Sequence, residues 1–170
     1  MKPTLLIVLA MTVTTLFGQQ PNTKEAFLEK WENSKNYLLE IAEAMPENAY
    51  DFSPTDRQMT FREQLMHIKS NMEWLGTSYF SNEHYERSTD TVTYSKKEVL
   101  RLLDVAFNQT LSRIKRTPNS ELSEVVEFFA GPKSKLQILN LIQDHVTHHR
   151  GQLIVYLNLQ GIEPPRYIGW

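Results

Sequence analysis

The stretch SKLQILNLIQDHVTHHRGQLIVYLNLQ, residues 134–160, decides the fold. Leu136, Leu139, Ile142, Val146, Leu153, Tyr156 and Gln160 recur at helical spacing, and His149 falls in the same series. That pattern predicts a long amphipathic helix from Ser134 to Gln160, stopped by Gly161 and by Pro164-Pro165. His145 and His149 are four residues apart, so they project one above the other from a single face, and that face points into the protein. Gln152 and Tyr156 continue it. Two stacked imidazoles can share one ion, yet a buried histidine is equally at home as a hydrogen-bonded core residue. The glutamate of an H-E-x-x-H zinc motif is absent, because Val146 stands there, so no general base is built into this helix.

Working back along the chain, Ser95 with Glu98 three residues later opens a helix that runs to about Arg116, with Leu100, Leu103, Phe107, Leu111 and Ile114 inward. Between it and the last helix, Val125, Val126, Phe128 and Phe129 suit a short strand, and Gly131-Pro132 a turn. Thr60-Phe61-Arg62-Glu63 has capping-box spacing and starts another helix to about Phe80, with Phe61, Leu65, Ile68, Met72, Leu75 and Tyr79 as its core stripe. His67 sits beside that stripe, with Glu63 and Asn71 one turn away on either side. The first helix starts at Asn22 or Thr23, buries Phe27, Trp31, Ser34, Leu38, Ile41 and Met45, and stops at Pro46. Residues 46–59 form a loop anchored by Tyr50 and Phe52, and the polar segment 81–94 carries His84 as a solvated residue. Four amphipathic helices without an internal repeat read as an all-α four-helix bundle.

Composition narrows the function classes. The chain has 170 residues, enough for one domain with a genuine core. It contains no cysteine, which excludes disulfides, thiolate ligands and thiolate nucleophiles. Its 18 basic and 20 acidic residues are mixed along the sequence, giving a net charge of -2 and no electrostatic footprint for nucleic acid. The N-terminus has one charge, Lys2, before an apolar run from Leu5 to Phe17 and a polar break at Gly18-Gln19-Gln20. Residues 1–19 therefore read as a secretory signal, with an uncleaved anchor as the rival, and residues 20–170 as the folded domain. Signal cleavage leaves no stable membrane span and a secreted or periplasmic protein.

Three stretches carry a family resemblance: AMPENAYDFSPT at 44–55, FREQLMHI at 61–68, and HVTHHRGQL at 145–153 followed by Gly161 and Pro164-Pro165. In that order the chain resembles the DinB/YfiT-like family of four-helix metal-binding proteins. The resemblance implies a divalent metal, Zn, Ni or similar, held by His67, His145 and His149. It also implies an up-down-down-up order of helix directions and a homodimer, and either thiol transfer or metal-dependent hydrolysis on a small-molecule substrate. A non-catalytic metal- or ligand-binding protein of the cell envelope is the reading from another class. Glu63 or Asn71 near His67, and Gln152 near the other pair, are the candidates to orient the imidazoles. His148 falls on a different face and is expected at the rim. Arg150 is expected on a solvated face, with the rim facing an anionic substrate as the alternative, and Gly151 at a close helix approach that offsets its cost of ~1 kcal/mol in a helix.

Overall fold

The computed structural model describes residues 22–87 and 92–170; the predicted signal segment lies outside them. Four long helices dominate: α1 (Thr23–Ala44), α2 (Phe61–Phe80), α3 (Lys96–Arg116) and α4 (Lys135–Leu159). Each begins with a complete capping box, formed by Asn22 with Glu25, Thr60 with Glu63, Ser95 with Glu98, and Ser134 with Gln137. Each box satisfies backbone N–H groups that the first turn leaves unpaired, and its capping side chain is worth about 1 kcal/mol. The expected strand is reduced to two residues, β1 (Val125–Val126), paired antiparallel with β2 (Lys133–Ser134). Phe128 leaves the ladder and packs against Trp74 and Tyr79 instead.

Helix directions follow from which ends meet. Lys24 reaches the Thr117 carbonyl, Trp31 the Phe107 carbonyl, and Lys96 the Glu43 carbonyl, so α1 and α3 are antiparallel. Arg62 at the start of α2 bonds the Tyr94 carbonyl just before α3, Thr110 bonds the Met72 carbonyl, and Glu83 beyond α2 pairs with Arg113 near the end of α3. Those two helices are therefore parallel. Gln64 meets Gln152, while His67 meets His145, so α2 and α4 are antiparallel. The order is up-down-down-up. Because α2 and α3 run the same way, residues 81–95 must return the length of a 20-residue helix, about 30 Å.

The core stripes largely match the periodicity. Trp31, Leu38, Ile41, Phe61, Leu65, Ile68, Met72, Leu75, Leu103, Phe107, Ile142, Val146 and Leu153 are all fully or almost fully buried. Leu100, Leu111, Leu136 and Tyr79 are only half-buried, and Gln160 is exposed. In α3 the stripe is rotated by about one residue, so that Val99, Ala106 and Thr110 take the central positions. Tyr50 anchors its loop by donating to the Ala42 carbonyl at 2.8 Å, and Phe52 packs edge-on against Tyr156.

Two expectations fail in α4. Arg150 is only 8 % exposed, its guanidinium lying 5.1 Å from the centre of the Tyr37 ring on α1. A weakly hydrated, planar cation can be buried on an aromatic face, and periodicity of apolar residues does not reveal it. Gly151 is exposed, with nothing within 4 Å of the position a Cβ would occupy. The close approach is instead at Gly76, where a Cβ would lie 3.2 Å from Thr110 Oγ1 and let α2 approach α3.

Candidate metal centre

α2 supplies His67, one turn beyond Gln64, and α4 supplies His145 and His149 from consecutive turns. The antiparallel packing of these helices brings the three imidazoles together. One ligand atom from each can be chosen so that all lie within 4.8 Å of one another. The ring centres of His67 stand 4.8 Å from His145 and 4.7 Å from His149, and those of His145 and His149 are 4.4 Å apart. Nε2 of His67 is 3.1 Å from Nε2 of His145. Two nitrogens bound to one tetrahedral ion at ~2.0–2.1 Å sit about 3.3 Å apart, so the spacing fits a shared ion.

The electrostatics keep these rings neutral, the form in which imidazole is a ligand. Burial pushes His145 down to about 3, aided by His149, His67 and His148. Burial likewise lowers His149 to about 4, with His67 and His148 adding to it. His67 is lowered by burial and by the Arg87 charge. Nδ1 of His145 is buried without a hydrogen-bond partner among the described residues. Three imidazoles converging from two helices are a donor set that could hold a divalent metal ion.

The orienting groups differ from expectation. Glu63 is a cap, its carboxylate accepting from the Thr60 N–H at 2.7 Å. Asn71 lines a cavity with His67 but has no hydrogen bond to it, and its Oδ1 has no partner among the described residues. Gln152 contacts His148 at 2.8 Å and Gln64 at 2.6 Å, so it reaches the centre only indirectly. The residue in contact with His149 is Gln64, whose Oε1 lies 2.5 Å from Nδ1. Gln64 is 3 % exposed and stands between Phe61 and Leu65 in the sequence, a buried polar residue beside a core stripe. That position was the available signal. His148 is exposed, as expected, and its ring meets His149 edge-on; His84 is exposed in its loop.

Beside His67 opens a cavity of about 370 Å³, lined by His67, Ser70, Asn71, Trp74, Tyr85 and Arg87. Tyr85 and Arg87 come from the segment that returns from α2 to α3. The cavity joins an aromatic wall to a cationic rim.

The Bacillus subtilis protein YjoA is 25% identical over 138 residues, spanning 75% of this chain and 84% of its own length. Its crystal structure superimposes with a TM-score of 0.68 at 20% identity, covering 85% of this chain and 99% of that one. A DinB-like protein from Bacillus cereus gives 0.73 at 18% identity, over 85% and 97% of the two chains. A conserved protein from Enterococcus faecalis gives 0.63 at 13% identity, over 82% and 98%. These likenesses establish the four-helix fold. The sequence profile of the DinB family matches residues 11–168, nearly the whole chain, and the chain belongs to that family.

Proposed function

We propose that the chain is an exported metal-dependent enzyme, with a divalent ion held by His67, His145 and His149 and a small-molecule substrate in the adjoining cavity. The carrying observation is the combination of three convergent imidazoles with a cavity of about 370 Å³ that includes His67 in its wall. A closed structural site has no use for such access. Bound there, Zn or Ni supplies a Lewis acid that lowers the pKa of water or of a substrate thiol, which suits hydrolysis or thiol transfer. The protein's own groups orient the substrate: Trp74 offers a flat apolar surface, and Arg87 favours an anionic group at the rim. Export rests on the apolar run Leu5 to Phe17 after Lys2. Among the described residues no helix is long and apolar enough to cross a membrane.

Metal analysis of the purified protein, followed by a screen for thiol transfer and for ester and amide hydrolysis, tests the reading. The expected result is one divalent ion per chain and a turnover that chelation abolishes and one metal restores. Stoichiometric metal without turnover in either assay favours the non-catalytic binding protein. No metal after equilibration with Zn or Ni ends the enzyme reading and leaves, of the alternative, only a protein that binds a ligand without metal. Mass spectrometry of the N-terminus tests export, with cleavage expected near Gly18 or Gln19.

A further inference from the structure

Gln64 has no part in the ligand set, yet it is buried against His149 and belongs to a chain of hydrogen bonds whose direction can be worked out from one end. That end is the Met59 carbonyl, which can only accept. The Tyr156 hydroxyl lies 2.8 Å from it and must donate, which leaves the phenol oxygen as an acceptor toward Gln64. The Gln64 amide nitrogen donates to that oxygen at 3.4 Å and to Gln152 Oε1 at 2.6 Å, using both of its N–H groups. The other end of the same amide, Oε1, is thereby turned to His149 Nδ1 at 2.5 Å. A carbonyl oxygen cannot donate, so Nδ1 must carry the proton.

We infer that Gln64 is a positioning residue that fixes His149 in the Nδ1–H tautomer, with its own orientation imposed by Tyr156 and the Met59 carbonyl. The consequence is chemical. With the proton on Nδ1, the lone pair of His149 is on Nε2, so the metal ligand atom is chosen before any ion arrives. The orientation cannot easily reverse. Turning the Gln64 amide over would set its oxygen against the Tyr156 oxygen, whose only proton goes to the Met59 carbonyl, a repulsive contact at a side chain that is 3 % exposed.

This inference rests on the proposed metal site for its purpose, and its test separates the two. Long-range ¹H–¹⁵N NMR of the metal-free protein reads the tautomer of each histidine directly. His149 is expected as Nδ1–H; an Nε2–H signal there overturns the inference whatever the protein binds. Gln64→Leu, close in volume but without an acceptor, is expected to lose the single tautomer and to weaken zinc binding by roughly 10–100-fold. Gln64→Glu keeps an acceptor and is expected to keep both the tautomer and zinc affinity within a few-fold of the wild type. Should Gln64→Leu fail to fold, Tyr156→Phe removes only the anchoring hydroxyl and is expected to produce a tautomer mixture. An unchanged Nδ1–H population in Tyr156→Phe overturns the role of the anchor. If the wild type has the Nδ1–H tautomer but binds no zinc, the metal reading falls and the positioning by Gln64 stands.

Discussion

Helix α2 has two neighbours and treats them in opposite ways. Toward α3 it is close-packed: Gly76 removes a side chain so that Thr110 can press in, its hydroxyl reaching the Met72 carbonyl. Toward α4 the same helix presents Gln64 and His67, and α4 answers with His145, His149, Gln152 and Tyr156. The first seam gains stability from excluded water and packing. The second gives up apolar contact for lone pairs held in fixed directions. Each polar group there costs free energy unless it is paired, so the amide chain around His149 is satisfied, while Nδ1 of His145 has no partner among the described residues. Close packing and the histidine cluster are thus placed on two different contacts of one helix.

That division breaks first in the core. Phe107 is fully buried with its ring 4.8 Å from Trp31, and Phe107→Ala is expected to cost about 3–5 kcal/mol in denaturant unfolding. The folded fraction should keep its zinc affinity, and a large loss of affinity would show that the α2–α4 contact is coupled to the rest of the core. Next comes His149→Ala, expected to abolish the stabilisation that zinc gives, about 2.7 kcal/mol at a hundred times the dissociation constant. His148→Ala, on the exposed side, should retain it; the reverse pattern in a thermal shift assay would mean that the ligands are misassigned.

A third test uses pH. The histidines are depressed in the folded protein, to about 3 for His145 and about 4 for His149, against ~6.5 in an unfolded chain. Below 6.5 the unfolded state takes up protons that the folded state refuses, so this contribution to stability is complete above 6.5 and declines as pH falls toward 3. Denaturant midpoints of the metal-free protein should follow that slope, and the slope should flatten in His145→Ala. The smallest effect comes from one substitution made on two helices. Gly76→Ala forces a contact at 3.2 Å with Thr110 and should destabilise by about 1 kcal/mol. Gly151→Ala meets nothing and should stabilise by a similar amount, of order 1 kcal/mol. Equal signs for the two would remove the distinction between a packed and an open helix face.

The sequence made the helices legible because their signals are local. Each capping box occupies four consecutive residues, and the stripes of Trp31, Leu65, Leu103 and Ile142 repeat within a few turns. The spacing of His145 and His149 was local in the same sense. His67 was visible only as an inward-leaning histidine; that it meets the other two depends on contacts 78 residues apart. Gln64 escaped notice for that reason, since its partners His149, Gln152 and Tyr156 all lie on a different helix. Arg150 and Gly151 depart from expectation because a stripe of apolar residues says which face is covered, not what a cation or a glycine on its margin touches. Tyr37 supplies the answer for Arg150 from another element altogether.

The return from α2 to α3 bears on how such a protein can diversify. Parallel neighbours oblige the chain to travel back along the bundle, and on the way it passes the histidines, leaving Tyr85 and Arg87 in the cavity wall. Geometry demands the length of that passage but not its composition. Imidazoles rooted in α2 and α4 are locked by the packing of the whole bundle, whereas the wall facing them is written in a stretch that carries no core residue from Glu83 to Arg87. Substitutions from His84 to Arg87 touch no buried side chain and are expected to cost folding little. The cavity wall can therefore change its chemistry while the three histidines stay where the bundle holds them.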